Sequence, residues 1–404
     1  MLNEEHAIFL KDRRIDILSR IETAKARYNQ FNELLEKRTY MKKTMLLSLV
    51  GMAAVTGTIL TQYKPLGRKP KSLQSPNRIN GKFRNQYETP MNFSAQDMVS
   101  MARDYRDVTS LRKPTERLPI VPIDFEEKTG SSFTRIYWLG HSALMVQMDG
   151  KTMLVDPMFG RSPSPLPFAK NERFSEDLPF ELEDLPEIDV VLLTHDHYDH
   201  LDYGTILAIK DKVAMFIVPL GVGSHLKRWG VGAERIVERD WNESYTFGNW
   251  TFVCTPARHF SGRSLTDRNS TLWASWVVLG ETDRLFFSGD SGYAPHFKMI
   301  GEQYGPFDFA ALECGQYDVR WPDVHMQPEE TAQAFRDLSA DQMMPIHWGA
   351  FTLSFHDWFD PAEQMSSLLP KEVVLTPKIG ERITLDGRND TTTWWRELED
   401  ANKR

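Results

Sequence analysis

The sequence predicts a layered α/β fold, and three observations carry that reading. Short apolar runs of strand length alternate with helical stretches, the first runs meet at an Asp-Gly hairpin, and several runs end in a histidine or an aspartate. With 404 residues, 41% of them hydrophobic, the chain can bury one large domain and still carry an appendage. It reads as globular. Both cysteines, Cys254 and Cys314, sit inside apolar runs, which favours buried free thiols over a disulfide and leaves the redox compartment undecided.

The chain begins differently from the way it continues. Through Asn92 there are 17 Lys and Arg against 8 Asp and Glu, so this end carries +9 while the remainder carries −17. Within residues 1–40, Leu10, Ile17, Ile21, Ala24, Tyr28, Phe31 and Leu35 fall on a pattern of alternating spacings of three and four, interrupted only by Arg14, in a segment without Pro or Gly. That spacing predicts an amphipathic helix, either a short coiled coil that recruits a partner or second copy, or a solvated lone helix. Residues 41–63 contain an uncharged, mostly apolar run from Thr44 to Leu60 behind Lys42 and Lys43, resembling a bacterial signal anchor with Met41 as a possible alternative start. A single-pass membrane anchor is the expectation. Basic residues flank both sides, so the positive-inside rule leaves the orientation open.

Residues 64–132 read as a basic linker and lead-in. Between Lys64 and Arg84 lie seven basic residues and no acidic one, a composition suited to a tether along anionic headgroups or to a solvated linker. Little aromatic interleaving and an acidic body argue against nucleic-acid binding.

The body is expected over 133–390, with 391–404 as a tail. Strands are predicted at 133–138, 143–148 and 152–155, the last two joined by the Asp149-Gly150 turn. Further strands are predicted at 190–193, 214–218, 250–254, 273–279, 284–287, 309–312 and 343–346. Helical stretches fall near 203–210, 295–301, 329–338 and 361–369, with Pro328 suited to a first helical turn. No solenoid-type repeat is visible.

One of these runs ends in Thr194-His195-Asp196-His197-Tyr198-Asp199-His200, three imidazoles and two carboxylates in six successive residues. Histidine and aspartate are common ligands of borderline cations such as zinc, and this density reads as a metal site sooner than as a histidine-rich turn. His259, Asp290 and His347 each follow another predicted strand. Alone, each is an ordinary turn or surface residue. Together they describe ligands converging on one sheet edge.

On these residues the chain resembles the metallo-β-lactamase superfamily, whose HxHxDH signature is complete in His195, His197, Asp199 and His200. Within it, the motifs Trp138-Leu139-Gly140-His141, Asp156-Pro157-Met158-Phe159, Gly289-Asp290-Ser291-Gly292-Tyr293, Tyr317-Asp318-Val319-Arg320-Trp321 and Ile346-His347-Trp348-Gly349 resemble those of the N-acylphosphatidylethanolamine-hydrolysing phospholipases D, over about 133–355.

The resemblance implies a four-layered αββα sandwich and two zinc ions. One zinc would sit on His195, His197 and His259, the other on Asp199, His200 and His347, with Asp290 bridging; Asp196 stands where diiron relatives carry a ligand Glu, which favours zinc. It also implies that Tyr198 and His325 contact the substrate phosphate, that His325 can protonate the leaving group, and that His141 and Asp156 orient ligands. Trp273, Trp276, Trp321 and Trp348 are expected in the core. The implied activity is hydrolysis of N-acylphosphatidylethanolamine, a phospholipid met at a membrane surface, to N-acylethanolamine and phosphatidic acid. A sugar-phosphate lactonase and a non-catalytic, membrane-anchored metal-binding protein are the alternatives.

Overall fold

The computed structural model describes residue 22 and residues 63–401, apart from 108–110, 126–132, 167, 170 and 387–388. The expected amphipathic helix and membrane anchor lie outside the described residues, among which no helix is long and apolar enough to cross a membrane. The chain divides between Tyr63 and Lys64, and the description below concerns the second unit.

A small antiparallel pair, β1 (Arg78–Ile79) and β2 (Lys82–Phe83), precedes two large mixed sheets. The first sheet uses β3 (Arg135–Trp138), β4 (Leu144–Met148), β5 (Lys151–Val155), β6 (Ile188–Leu192), β7 (Val213–Pro219) and β8 (Ile236–Arg239). The second uses β9 (Ser244–Phe247), β10 (Trp250–Thr255), β11 (Ser275–Leu279), β12 (Arg284–Phe287), β13 (Phe307–Glu313) and β14 (Ala340–Ile346). A last strand, β15 (Arg382–Thr384), returns to the first sheet beside β3. The sheet orders are β15-β3-β4-β5-β6-β7-β8 and β14-β13-β12-β11-β10-β9. In each sheet antiparallel pairing gives way to parallel pairing, at β5 and at β12.

Alternation along the strands explains the layers. In β6, Val190 and Leu192 join the central cluster with Phe252, Trp276 and Phe287 of the facing sheet. Val191 and Leu193 point the other way and pack with Ile206, Ile209 and Leu226 of the helices Tyr203–Ile209 and Gly223–Arg228. On the far side of the second sheet, Val277, Phe286 and Ala310 pack with Phe297, Phe335 and Met365 of the helices His296–Tyr304, Pro328–Leu338 and Asp360–Leu368. Helices, sheet, sheet and helices thus form the expected αββα sandwich. The central strands β4, β5, β6, β10, β11 and β13 bury both faces, which is why they read as continuous apolar runs, whereas the edge strands β8 and β9 do not.

Two expected boundaries move. The stretch read as a linker from residue 64 packs on the sandwich: Phe83 is fully buried in the central cluster, Trp229 Nε1 donates to the Lys64 carbonyl (2.8 Å), and Arg263 Nη2 donates to that of Pro65 (2.9 Å). The residues read as a tail form the helix Trp394–Ala401, whose Trp394 and Trp395 are buried and join Trp138, Trp348 and Trp358 in one aromatic cluster. Cys254 and Cys314 are buried free thiols, as expected.

Candidate metal centre

Parallel strands place their carboxyl ends on one edge, and there the predicted residues meet. Asp156 follows β5, His195–His200 follow β6, Asp290 follows β12, Glu313 closes β13 and His347 follows β14. Backbone geometry at this edge is unusual: His141, Asp156 and His347 have φ of 56°, 41° and 71°. Non-glycine residues rarely enter this left-handed region unless their surroundings hold them there. Here His141 N–H donates to the Trp348 carbonyl (3.0 Å) and His347 N–H to the His141 carbonyl (3.1 Å), locking the two loops together. Gly289, with φ of 56°, lets Asp290 approach; a Cβ there would sit 2.7 Å from Thr194 Cβ and 2.9 Å from the Ala274 carbonyl oxygen.

The side chains form two adjoining groups, one of His195, His197, His259 and Asp290, the other of His141, Asp199, His200 and His347. Asp290 links them, with Oδ1 3.2 Å from His200 Nε2 and Oδ2 3.2 Å from His347 Nε2 and 3.7 Å from both His195 Nε2 and His259 Nε2. Outer partners set which nitrogen faces inward. Asp156 Oδ2 accepts from His200 Nδ1 (2.8 Å), the Val324 carbonyl from His259 Nδ1 (3.0 Å), and the Gly315 carbonyl from His347 Nδ1 (3.2 Å). Each leaves Nε2 for the centre, the usual device for orienting ligand imidazoles. Asp156 also accepts from Thr194 N–H and Oγ1, pinning the start of the histidine loop.

The cluster fits divalent cations. His200 Nε2 and Asp290 Oδ1 are buried and face one another at 3.2 Å without making a hydrogen bond, an arrangement that a cation between the donors would satisfy. Burial holds His195 and His259 well below the usual imidazole range and lowers His197, so these three offer lone pairs. Burial opposes charge on His347 as well, but Asp290, Asp199 and Glu313 outweigh it and lift His347 to about 10. Asp290 and Asp199 remain ionised because neighbouring histidines, His200 foremost, overcome their desolvation.

Asp196, although it lies between two histidines of the loop, turns away from the centre. Its Oδ1 accepts from Gly262 N–H (2.8 Å), and its Oδ2 accepts from Thr271 Oγ1 (2.7 Å) and faces His225 Nε2 (3.2 Å). Tyr198 differs from expectation. Its hydroxyl donates to the Arg263 carbonyl, its ring lies 4.0 Å beneath the Arg263 guanidinium carbon, and it is not among the residues lining the cleft. Its one proton is already committed, so it is not arranged to donate to a phosphate. His325 does reach the cleft, stacked on His347 with ring centres 5.1 Å apart.

Three contributors were not visible in the sequence. Glu313, fully buried, accepts from His325 Nδ1 (2.7 Å) and from Met326 N–H (3.1 Å); its signal was its place at a strand end, like the other acids of the site. Asn85 clamps the His259 backbone from 174 positions away, and nothing in its neighbourhood announced this. Arg263, buried, donates from Nη1 to the carbonyls of Asp196 and Leu201 (2.7 Å each) and so braces the histidine loop.

Above the cluster opens a cleft of about 260 Å³. His197, Asp199, His259, Asp290, Gln316, His325 and His347 contribute to its floor with the buried Val324, and Met91, Phe93, Phe260, Trp321 and Leu353 form an apolar rim. Trp321, expected in the core with Trp273, Trp276 and Trp348, is instead half-buried on this rim; the other three are buried.

Residues 151–348 match the family described as Beta-lactamase superfamily domain. An uncharacterized protein of Mycobacterium tuberculosis is 39% identical over 332 residues, covering 80% of this chain and 88% of the relative. The N-acyl-phosphatidylethanolamine-hydrolyzing phospholipase D 1 of Caenorhabditis elegans is 35% identical over 259 residues, covering 61% of this chain and 72% of that protein. Among solved structures, the isothiocyanate hydrolase from Delia radicum gut bacteria aligns with a TM-score of 0.49 and 19% identity, over 62% of this chain and 98% of its own.

Proposed function

We propose, from the premise that the chain belongs to the metallo-β-lactamase superfamily of metal-dependent hydrolases, that it hydrolyses N-acylphosphatidylethanolamine to N-acylethanolamine and phosphatidic acid. The observation that carries this reading is the apolar rim directly over a histidine and aspartate cluster, which suits a phosphodiester flanked by acyl chains. A sugar phosphate would leave that rim facing polar hydroxyls. The similarity to a phospholipase D of this specificity supports the same substrate.

Two zinc ions suit the donor set. His195, His197 and His259 would hold one and Asp199, His200 and His347 the other, with Asp290 shared. When bound, the ions supply Lewis acidity, which lowers the pKa of a water molecule and offsets phosphoryl charge. The protein's own part is positional. Asp156, Val324 and Gly315 hold the imidazoles, and His325, lining the cleft with Nδ1 committed to Glu313, would act at the leaving group through Nε2. One water is consumed: its oxygen ends on phosphorus, the phosphorus–oxygen bond to the N-acylethanolamine breaks, the leaving oxygen takes a proton from His325, and a proton lost by the water restores His325.

Lipid mass spectrometry of reactions with a mixed phospholipid extract tests the reading. N-acylethanolamine release that is abolished by chelation and by Asp290→Asn, with the melting temperature of the variant retained, is the expected result. Turnover of a phosphorylated lactone in preference to phospholipid favours the lactonase, and unchanged turnover in Asp290→Asn overturns the shared-ligand mechanism. Absence of any turnover supports a non-catalytic metal protein.

A further inference from the structure

We propose that the helix Ala95–Asp104 seats the catalytic body on an anionic lipid surface. The inference builds on the lipid substrate proposed above, and its evidence is that this helix is inside out. Ala95, Met98, Val99 and Ala102 recur at i, i+3, i+4 and i+7, the spacing that ordinarily faces a core, yet all four face solvent, Met98 at 58% and Val99 at 68% exposure. The half-buried side carries Asp97, Ser100, Met101 and Asp104, three of the four polar. Ser100 Oγ accepts from Arg320 Nη1 (3.0 Å), and Asp104 pairs with the same guanidinium at 2.8 Å.

No residue of this helix is buried, so hydrophobic packing does not hold it. A ten-residue helix is marginal by itself. A capping box stabilises its start, with Ser94 Oγ accepting from Asp97 N–H (3.1 Å) and Asp97 accepting from Ser94 N–H (2.7 Å), and Arg320 ties down its end. The polar ties hold an apolar stripe outward.

The stripe leads to the cleft. Phe93, just ahead of the helix, meets Trp321 edge-on with ring centres 6.3 Å apart, and both line the rim; Val319, beside Arg320 in the chain, is 82% exposed. Beside it stand Arg103 and Arg106, with Asp104 and Asp107 between and after them, and Arg112, 5.5 Å from the ring centre of the exposed Tyr105. An apolar stripe flanked by three arginines, two of which have acidic neighbours held in the same surface, and by one exposed aromatic matches the interface of an anionic bilayer. A phospholipid entering the cleft there need rise only part of the way out of the membrane.

The test is local depth measured on the full chain reconstituted in vesicles. Both native cysteines are buried, so a Val99→Cys variant takes a single environment-sensitive fluorophore; Leu207→Cys, on a helix covering the outer face of the first sheet, is the control. In phosphatidylglycerol vesicles with brominated chains, the label at 99 is expected to be quenched and the label at 207 not. Arg103→Gln with Arg106→Gln should lower the docked-to-undocked ratio about fivefold per arginine. A label at 99 as water-exposed as that at 207 overturns the proposal. So does a label that is shielded but unquenched in both phosphatidylglycerol and phosphatidylcholine vesicles, because another part of the chain or a second copy then covers the stripe. The depth readout needs no turnover, so its failure is distinct from a failure to hydrolyse the proposed substrate.

Discussion

Asn85 holds the backbone of His259 at both ends: its Nδ2 donates to the His259 carbonyl (2.8 Å) and its Oδ1 accepts from the His259 N–H (3.1 Å). The same Oδ1 accepts from Trp273 Nε1 (2.9 Å), so one side chain of the amino-terminal lead-in fixes a candidate ligand against the second sheet. Asn85→Ala leaves these groups to find water in a part-buried site, at a cost of about 1–3 kcal/mol. Metal affinity is expected to fall by roughly 10–100-fold, as when partners of a ligand imidazole are lost. Calorimetric metal titration with a parallel thermal melt checks both.

Glu313 meets His325 Nδ1 at 2.7 Å from a fully buried position. Glu313→Gln keeps the shape but replaces a charged acceptor by a neutral amide. If His325 protonates the leaving oxygen, kcat should fall by roughly 10-fold or more with KM little changed. Metal content, read by elemental analysis, should stay at the wild-type level. A loss of metal equal to the loss of kcat assigns Glu313 instead to His347, whose Nδ1 lies 3.7 Å from the same carboxylate oxygen.

Tyr198 separates what sequence adjacency implies from what the fold does with it. A tyrosine between two ligands is near the centre in any fold, but adjacency does not say where the ring turns, and here it turns beneath Arg263. Tyr198→Phe removes a hydrogen bond to the Arg263 carbonyl and is expected to lower stability by about 1 kcal/mol, with KM for phospholipid within about twofold of wild type. Denaturant unfolding and steady-state kinetics measure the two. A large rise in KM would restore the phosphate contact.

The same contrast describes what the sequence made legible. His195, His197, His200, His259 and His347 could be found because each ends or follows an apolar strand, and the carboxyl ends of strands gather on one edge of a sheet. Phe83 and Asn85 could not, since they are single residues in a polar, basic stretch whose partners lie far off in the chain. Trp394 and Trp395 were hidden similarly, in a short segment whose only signal is two adjacent aromatics. Local periodicity reports elements large enough to bury a face. It is blind to segments that bury one side chain at a time.

His296 supplies a prediction about pH that does not depend on the metal centre. It opens the helix His296–Tyr304, is buried against Phe297 with ring centres 4.2 Å apart, and lies 3.3 Å from Ser291 Oγ. Burial, with a smaller contribution from Arg258, lowers it to about 3. Between the ordinary imidazole value of ~6.5 and that depressed value, the unfolded chain binds a proton that the folded chain does not. Stability therefore rises with pH across this window and is lost on acidification, with a limiting slope of about 1.4 kcal/mol per pH unit from this residue. His296→Gln lacks the proton-binding term. It is expected to be less stable than wild type at pH 7 because it must fit an amide into the same buried space, and to lose less stability on going to pH 5, the gap narrowing by about 2 kcal/mol. Denaturant unfolding of both proteins at pH 7, 6 and 5 and constant metal concentration measures this gap. Parallel pH dependences would mean that the ring takes up a proton in the folded state.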